Sequence, residues 1–148
     1  MVVDRGAIGR LFERAPVLVE RLSAEAPFAT HEAFLTRART YLDGMSVDER
    51  VAVLNAHPRI GADEGALSAD SRREQGGRES DAVLRELAAL NDEYETRFGF
   101  RFVVFVAGRS KSEIVPVLRQ RLSRTRDQEL ATAVSELMAI ARDRLSRG

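Results

Sequence analysis

The chain has 148 residues, 44% of them hydrophobic, with 23 basic residues against 23 acidic ones and no cysteine or tryptophan. A chain of that size can bury roughly 68–70% of its unfolded surface, so a single domain over 1–148 is expected and wholesale disorder is excluded. Balanced charge removes the basic excess on which nucleic-acid affinity rests, and the missing cysteines exclude disulfide frameworks, thiolate nucleophiles and thiol-ligated metal centres.

Of the basic residues, 22 are arginine and one, Lys111, is lysine, a bias that reads as genomic rather than functional. No apolar run approaches the ~18–20 residues of a membrane helix. The opening Met1-Val2-Val3-Asp4-Arg5 lacks the basic-then-apolar form of a signal peptide. The closing Leu145-Ser146-Arg147-Gly148 carries no peroxisomal or lipidation signal. A soluble cytoplasmic protein is expected, with neither a membrane nor a nucleic-acid partner.

Helical periodicity dominates the chain. Residues 31–43 place Phe34, Leu35, Ala38, Tyr41 and Leu42 on one stripe. Ser46 and Glu49 form a capping-box pattern, each able to satisfy a free backbone N–H of the other. The short helix they open carries Val47, Val51 and Leu54. It should stop at His57, because Pro58 disfavours helical geometry in the residue before it. Residues 57–79 are polar and glycine-bearing, with a short helical turn near Ser71–Gln75. Loops of this kind, held by a rigid frame, are where binding residues concentrate.

A longer helix over about 80–97 repeats Val83, Leu87, Leu90 and Tyr94 and ends at Phe98-Gly99, where glycine adopts the left-handed cap cheaply. Ser110 and Glu113 make a second capping box before Ile114, Leu118 and Leu122. Pro116 removes one N–H early in that helix, so a kink or a late start is expected. Thr125 and Gln128 make a third box, opening a last helix to about residue 146.

One segment departs from this pattern. Phe100-Arg101-Phe102-Val103-Val104-Phe105-Val106 is aromatic and β-branched, which favours extended backbone. No second strand of comparable quality accompanies it, and unpaired buried amides and carbonyls are costly. Partial pairing with a loop, a helical conformation after all, or a ligand that supplies the missing hydrogen bonds would each answer the difficulty.

Few residues are candidates for chemistry. Of the two histidines, His31 sits at a helix start and reads as a surface residue. His57, at a helix end, reads either as a structural hydrogen-bonding group or as a proton-transfer group, the imidazole pKa being suited to neutral pH. Ser71 and Glu74 are explained by helix capping. Alternatively, Glu74 faces a ligand's N–H groups and Gln75 offers it a donor and an acceptor.

In the last helix, Leu130, Leu137 and Ala141 share a stripe with Ala133, Val134 and Ile140 at its margins. Arg144, seven residues after Leu137, projects from the middle of that stripe, whereas Arg142 falls on the polar face. Arg144 either snorkels at a frayed terminus or faces the core, where it needs a carboxylate, carbonyls or an anion. No phosphate loop, dinucleotide fingerprint, zinc-ligand spacing, EF-hand loop or serine nucleophile elbow is present.

His57-Pro58, Ser71-x-x-Glu74-Gln75, Leu90-Asn91-x-x-Tyr94-x-x-Arg97-Phe98-Gly99-Phe100-x-Phe102-Val103 and Ile140-Ala141-Arg142-x-Arg144-Leu145 follow one another in that order. Together they resemble the 2-oxo-4-hydroxy-4-carboxy-5-ureidoimidazoline (OHCU) decarboxylases, which form (S)-allantoin in urate degradation, over almost the whole chain from about Ile8 to Leu145. The resemblance implies an all-α, single-domain helical bundle with one extended segment, about 100–106, lining the site. It implies a carboxy-lyase with no metal or organic cofactor, a small-molecule ureide substrate and a homodimer.

Under the same resemblance His57 is the acid/base residue, acting with Glu74 and Arg144. Pro58, Ser71, Gln75 and the main chain of Phe102, Val103, Val104, Phe105 and Val106 contact the substrate. A ureide rich in amide donors and acceptors would then answer the unpaired backbone. The chain departs from the family pattern at Arg101, a position where proline is frequent, and at Arg59-Ile60, where an acidic residue then an aliphatic one is usual. A non-catalytic module binding a ureide or a protein on the same scaffold, or a lyase acting on another ureide, are the competing readings.

Overall fold

Short polar side chains set where the helices begin. The computed structural model describes residues 2–12, 15–60 and 81–147. Among the described residues every regular element is a helix: α1 (Arg5–Leu11), α2 (Pro16–Ser23), α3 (His31–Gly44), α4 (Val47–Ala56), α5 (Asp81–Phe98), α6 (Lys111–Leu122) and α7 (Arg126–Arg147). Asp4, Thr30, Ser46 and Ser110 each accept a hydrogen bond from the N–H three residues on, which satisfies a donor that the first helical turn leaves open. Ser46 with Glu49, and Thr125 with Gln128, close both halves of the expected capping boxes. Proline opens α2, where its missing N–H costs nothing.

The helix ends follow the same local chemistry. His57 leaves the helical region at φ −75°, ψ 135°, as the next residue, Pro58, requires. Gly99 caps α5 at φ +81°. Two expectations change. Of the kink or late start expected at Pro116, the late start falls: α6 begins at Lys111 and runs through the proline to Leu122. Buried Ile114, Val115, Leu118 and Leu122 outweigh the one hydrogen bond that the proline forfeits. On α4, Val47 is exposed and the buried pair is Val53 and Leu54.

The helices fall into two compact units, residues 1–57 with 134–148 and residues 58–133. The first holds α1–α4 and the later turns of α7. In it α1 packs on α2 and α2 on α3. Val3 and Phe28 exchange backbone hydrogen bonds at 2.8 and 2.9 Å in an isolated β-bridge. Phe34, fully buried, meets the Phe28 ring edge-on at 5.4 Å and the Phe12 ring at 6.0 Å.

The second unit holds α5, the segment 100–106, α6 and the first turns of α7, with α5 packed along α6. Its buried α5 line is Leu87, Asn91, Tyr94 and Phe98, so Asn91 stands where Leu90 was expected. Tyr94 is surrounded by Phe98, Phe100 and Phe102, with ring centroids 4.6, 5.9 and 5.4 Å away. No described helix is long and apolar enough to cross a membrane.

Candidate functional site

Periodicity singled out Arg144, and in the structure its side chain is turned inward. It is 6% exposed, in line with buried Leu137 and Ala141, and its Nη1 donates to the Leu11 carbonyl at 3.0 Å. A snorkelling side chain would be solvated, so that alternative falls. Arg142, two residues earlier, is exposed as expected. It pairs with Glu32, whose carboxyl it holds below the usual carboxylate range by hydrogen bonding first and charge second.

The first unit brings Arg144 to the same place as His57. Both line a small pocket with Leu11, Phe12, Ala15, Val53 and Leu137. The C-terminus of α4 fixes His57 there, because the helix must stop before Pro58. The imidazole is half-buried, with its Nε2 shielded from solvent. The pocket measures about 10 Å³, the room of a single water, whereas small-molecule sites run to roughly 300–1,000 Å³. It therefore presents two groups rather than enclosing a ligand, an imidazole and a guanidinium between apolar walls.

Pro58 is buried and begins the second unit, where Arg59 and Ile60 tie the chain to α5. Arg59 lies 2.7 Å from an Asp92 carboxylate oxygen and 2.8 Å from one of Glu95. Buried Asn91 donates to the Ile60 carbonyl at 3.1 Å. The arginine where the family usually has an acidic residue thus finds acidic partners one helix away.

The segment 101–106 is non-helical, with Phe102, Val103, Val104 and Val106 buried and Phe105 half-buried. Three of its carbonyls are met by arginines of its own unit. Arg121 Nη1 donates to Val103 at 2.6 Å. Arg109 donates from Nη2 to Phe105 at 2.7 Å and from Nε to Val106 at 2.9 Å. A helical conformation is thereby excluded, and part of the unpaired-backbone difficulty is answered by protein rather than by ligand. Ser71, Glu74 and Gln75 lie outside the described residues.

The sequence reading missed the ion cluster behind this segment. Arg121 Nε donates to Glu129 Oε1 at 2.6 Å, Tyr94 donates its hydroxyl to the same oxygen at 2.7 Å, and Arg124 Nη1 donates to Glu129 Oε2 at 2.9 Å. Glu129 is wholly buried and Arg121 is 5% exposed. Burial holds the Tyr94 phenol above its ordinary range, with Arg121 opposing and Glu129 reinforcing the shift. The signal that identified Arg144 could have found both ions. Glu129 stands one turn before Ala133 on the apolar stripe of α7, and Arg121 continues the Ile114–Leu118 stripe of α6. Among the described residues no group of His, Asp and Glu could hold a metal ion.

Comparison with known proteins extends the description. The family model described as OHCU decarboxylase matches residues 5–146. The chain is similar to the "Uric acid degradation bifunctional protein PucL" of Bacillus subtilis, at 31% identity over 94% of this chain, and spans only 29% of that longer protein. It is 28% identical to the 2-oxo-4-hydroxy-4-carboxy-5-ureidoimidazoline decarboxylase of Haloferax volcanii, over 95% of this chain and 85% of the relative. A crystal structure of an OHCU decarboxylase in the presence of (S)-allantoin shares the fold, with TM-score 0.75 and 24% identity over 94% of each chain.

Proposed function

Because the chain belongs to the OHCU decarboxylase family, we propose that it decarboxylates 2-oxo-4-hydroxy-4-carboxy-5-ureidoimidazoline to (S)-allantoin in urate degradation. The observation that carries the reading is the pairing of His57 and Arg144 on one pocket, two residues far apart in sequence that each have the chemistry the reaction needs.

The substrate carries its own electron sink. When the bond from C4 to the carboxylate breaks and CO2 leaves, the electron pair stays on C4. It forms a double bond to the adjacent ring carbon, and the electrons of the C=N bond move onto nitrogen, which takes a proton. The C4 hydroxyl then loses its proton to become a carbonyl while the ureido-bearing carbon gains one. The protein must hold the ring, stabilise the developing charge and control which face is protonated.

His57 relays the proton between the C4 hydroxyl and the enediol-like intermediate, and delivery to one face sets the S configuration. Arg144 acts on the oxygen that gains charge rather than on the departing carboxylate, since only interactions that strengthen in the transition state accelerate the step. Glu74 holds ring or ureido N–H groups. Pro58, Ser71, Gln75 and the main chain of Phe102–Val106 bind the rest of the ureide. A cytoplasmic homodimer, with no metal or organic cofactor, belongs to the same reading, and sedimentation velocity tests the association.

The decisive experiment follows circular dichroism while urate is treated with uricase, hydroxyisourate hydrolase and this protein. Optically active allantoin should accumulate faster than the spontaneous reaction allows. His57→Asn should lower that rate by at least ~10²-fold, as removal of a general acid–base group does. Racemic product at the spontaneous rate with the native protein would overturn the reading. Near-normal turnover by His57→Asn would overturn the role of the imidazole.

A further inference from the structure

We infer that Arg121 is a positioning residue for the reaction: anchored on Glu129, its guanidinium fixes the Val103 carbonyl and so orients the main chain of 102–106 toward the substrate. The inference rests on the proposed function for the claim that this segment contacts a ureide. The positioning itself stands on the second unit alone.

The geometry distinguishes Arg121 from an ordinary buried cation. One edge of the guanidinium donates to Glu129 at 2.6 Å, and another nitrogen donates to the Val103 carbonyl at the same distance. Its central carbon lies 4.6 Å from the centroid of the Phe102 ring. A single side chain therefore holds both the peptide oxygen of Val103 and the side chain of the residue before it. Glu129 is in turn held by Tyr94 and Arg124, so the anchor has little freedom.

Two residues further on, Arg109 takes the carbonyls of Phe105 and Val106. Arginines thus hold the carbonyls of Val103, Phe105 and Val106, so the course of the main chain from 103 to 106 is pinned at both ends by side chains of its own unit. A planar fork suits this task and a lysine does not. Five donors in fixed directions can hold a carboxylate and a carbonyl together, whereas one ammonium cannot reach both with the same alignment.

Arg121→Lys keeps the charge beside Glu129 and removes the fork. Amide hydrogen exchange over 100–106 reads the positioning without substrate, and it should quicken about tenfold in Arg121→Lys. Tyr94→Phe removes a hydroxyl from Glu129 and from Arg121 Nη2 at 3.5 Å but keeps the bond from Arg121 to Val103, and should quicken exchange in that segment by less than about threefold. In steady-state assays the KM of Arg121→Lys should rise about tenfold with kcat within about threefold, the pattern of lost ground-state contacts.

Native exchange in Arg121→Lys overturns the inference. So does a KM that moves equally in Tyr94→Phe, since that would make Arg121 only a source of stability. If Arg121→Lys does not fold, the part-buried Arg109→Lys carries the same exchange and KM expectations. Inactivity of the native protein on OHCU would count against the decarboxylase reading, while the exchange experiment would still decide whether Arg121 orders the segment.

Discussion

Among the described residues, two arginines are buried, in different settings. Arg121, in the second unit, places its donors on a carboxylate and a carbonyl amid aromatic rings, with Arg124 and Tyr94 completing the cluster around Glu129. Arg144, in the first unit, donates to the Leu11 carbonyl and lines a small pocket together with the His57 imidazole. Burial and charge are shared, so neither identifies a working residue. What separates them is the surrounding space. Arg121 is enclosed by a carboxylate, a carbonyl and aromatic rings, whereas Arg144 shares a water-sized pocket with His57.

Substitutions should pull the two clusters apart. The largest effect is expected from Glu129→Leu, which leaves Arg121 and Arg124 facing each other without their shared carboxylate. Breaking a buried ion pair from one side costs about 3–5 kcal/mol, readable as a lower midpoint in urea denaturation. A loss of only a few tenths would mean that the cluster is solvated and the contrast with Arg144 is wrong.

Arg144→Gln should invert the pattern. Turnover in the allantoin assay should fall by roughly 10²–10³-fold, the usual loss when a donor to a developing charge is removed, while the urea midpoint moves less than in Glu129→Leu. Equal losses of stability and turnover would make Arg144 a second structural arginine.

A smaller and more diagnostic effect belongs to Tyr94→Phe. At neutral pH it should cost about 1 kcal/mol for the hydrogen bond to Glu129. The native protein should also lose stability as pH rises above about 10. Burial raises the Tyr94 phenol above its unfolded value, so the unfolded chain ionises first and the folded state is penalised until the folded pKa is passed. Tyr94→Phe should flatten this alkaline limb in thermal melts, and an unchanged limb would assign it to another group.

Much of the helical frame was legible because it depends on neighbours in sequence. Ser46 with Glu49 and Thr125 with Gln128 are spaced to satisfy each other's backbone, and the proline after His57 ends α4 whatever surrounds it. Arg144 was legible for a related reason, since a charge on an apolar stripe is visible in periodicity alone. The partner of that charge was not. The Leu11 carbonyl stands 133 positions away, and no local rule points to it.

The same limit explains the Arg121–Glu129 cluster. Each ion breaks its own helix's stripe, but their neutralisation depends on how α6 and the start of α7 meet, which involves packing across many residues. It explains Arg59 too, whose departure from the family pattern makes sense only beside Asp92 and Glu95 on α5. The sequence by itself determined where several helices start and stop and that Arg144 lies on the apolar stripe of α7, because these follow from capping, proline sterics and a period of 3.6 residues. Only the tertiary structure decided that arginines hold the carbonyls of Val103, Phe105 and Val106 and that His57 shares a pocket with Arg144. Both are contacts between distant segments, fixed by the shape of a packed interior rather than by any interaction along the chain.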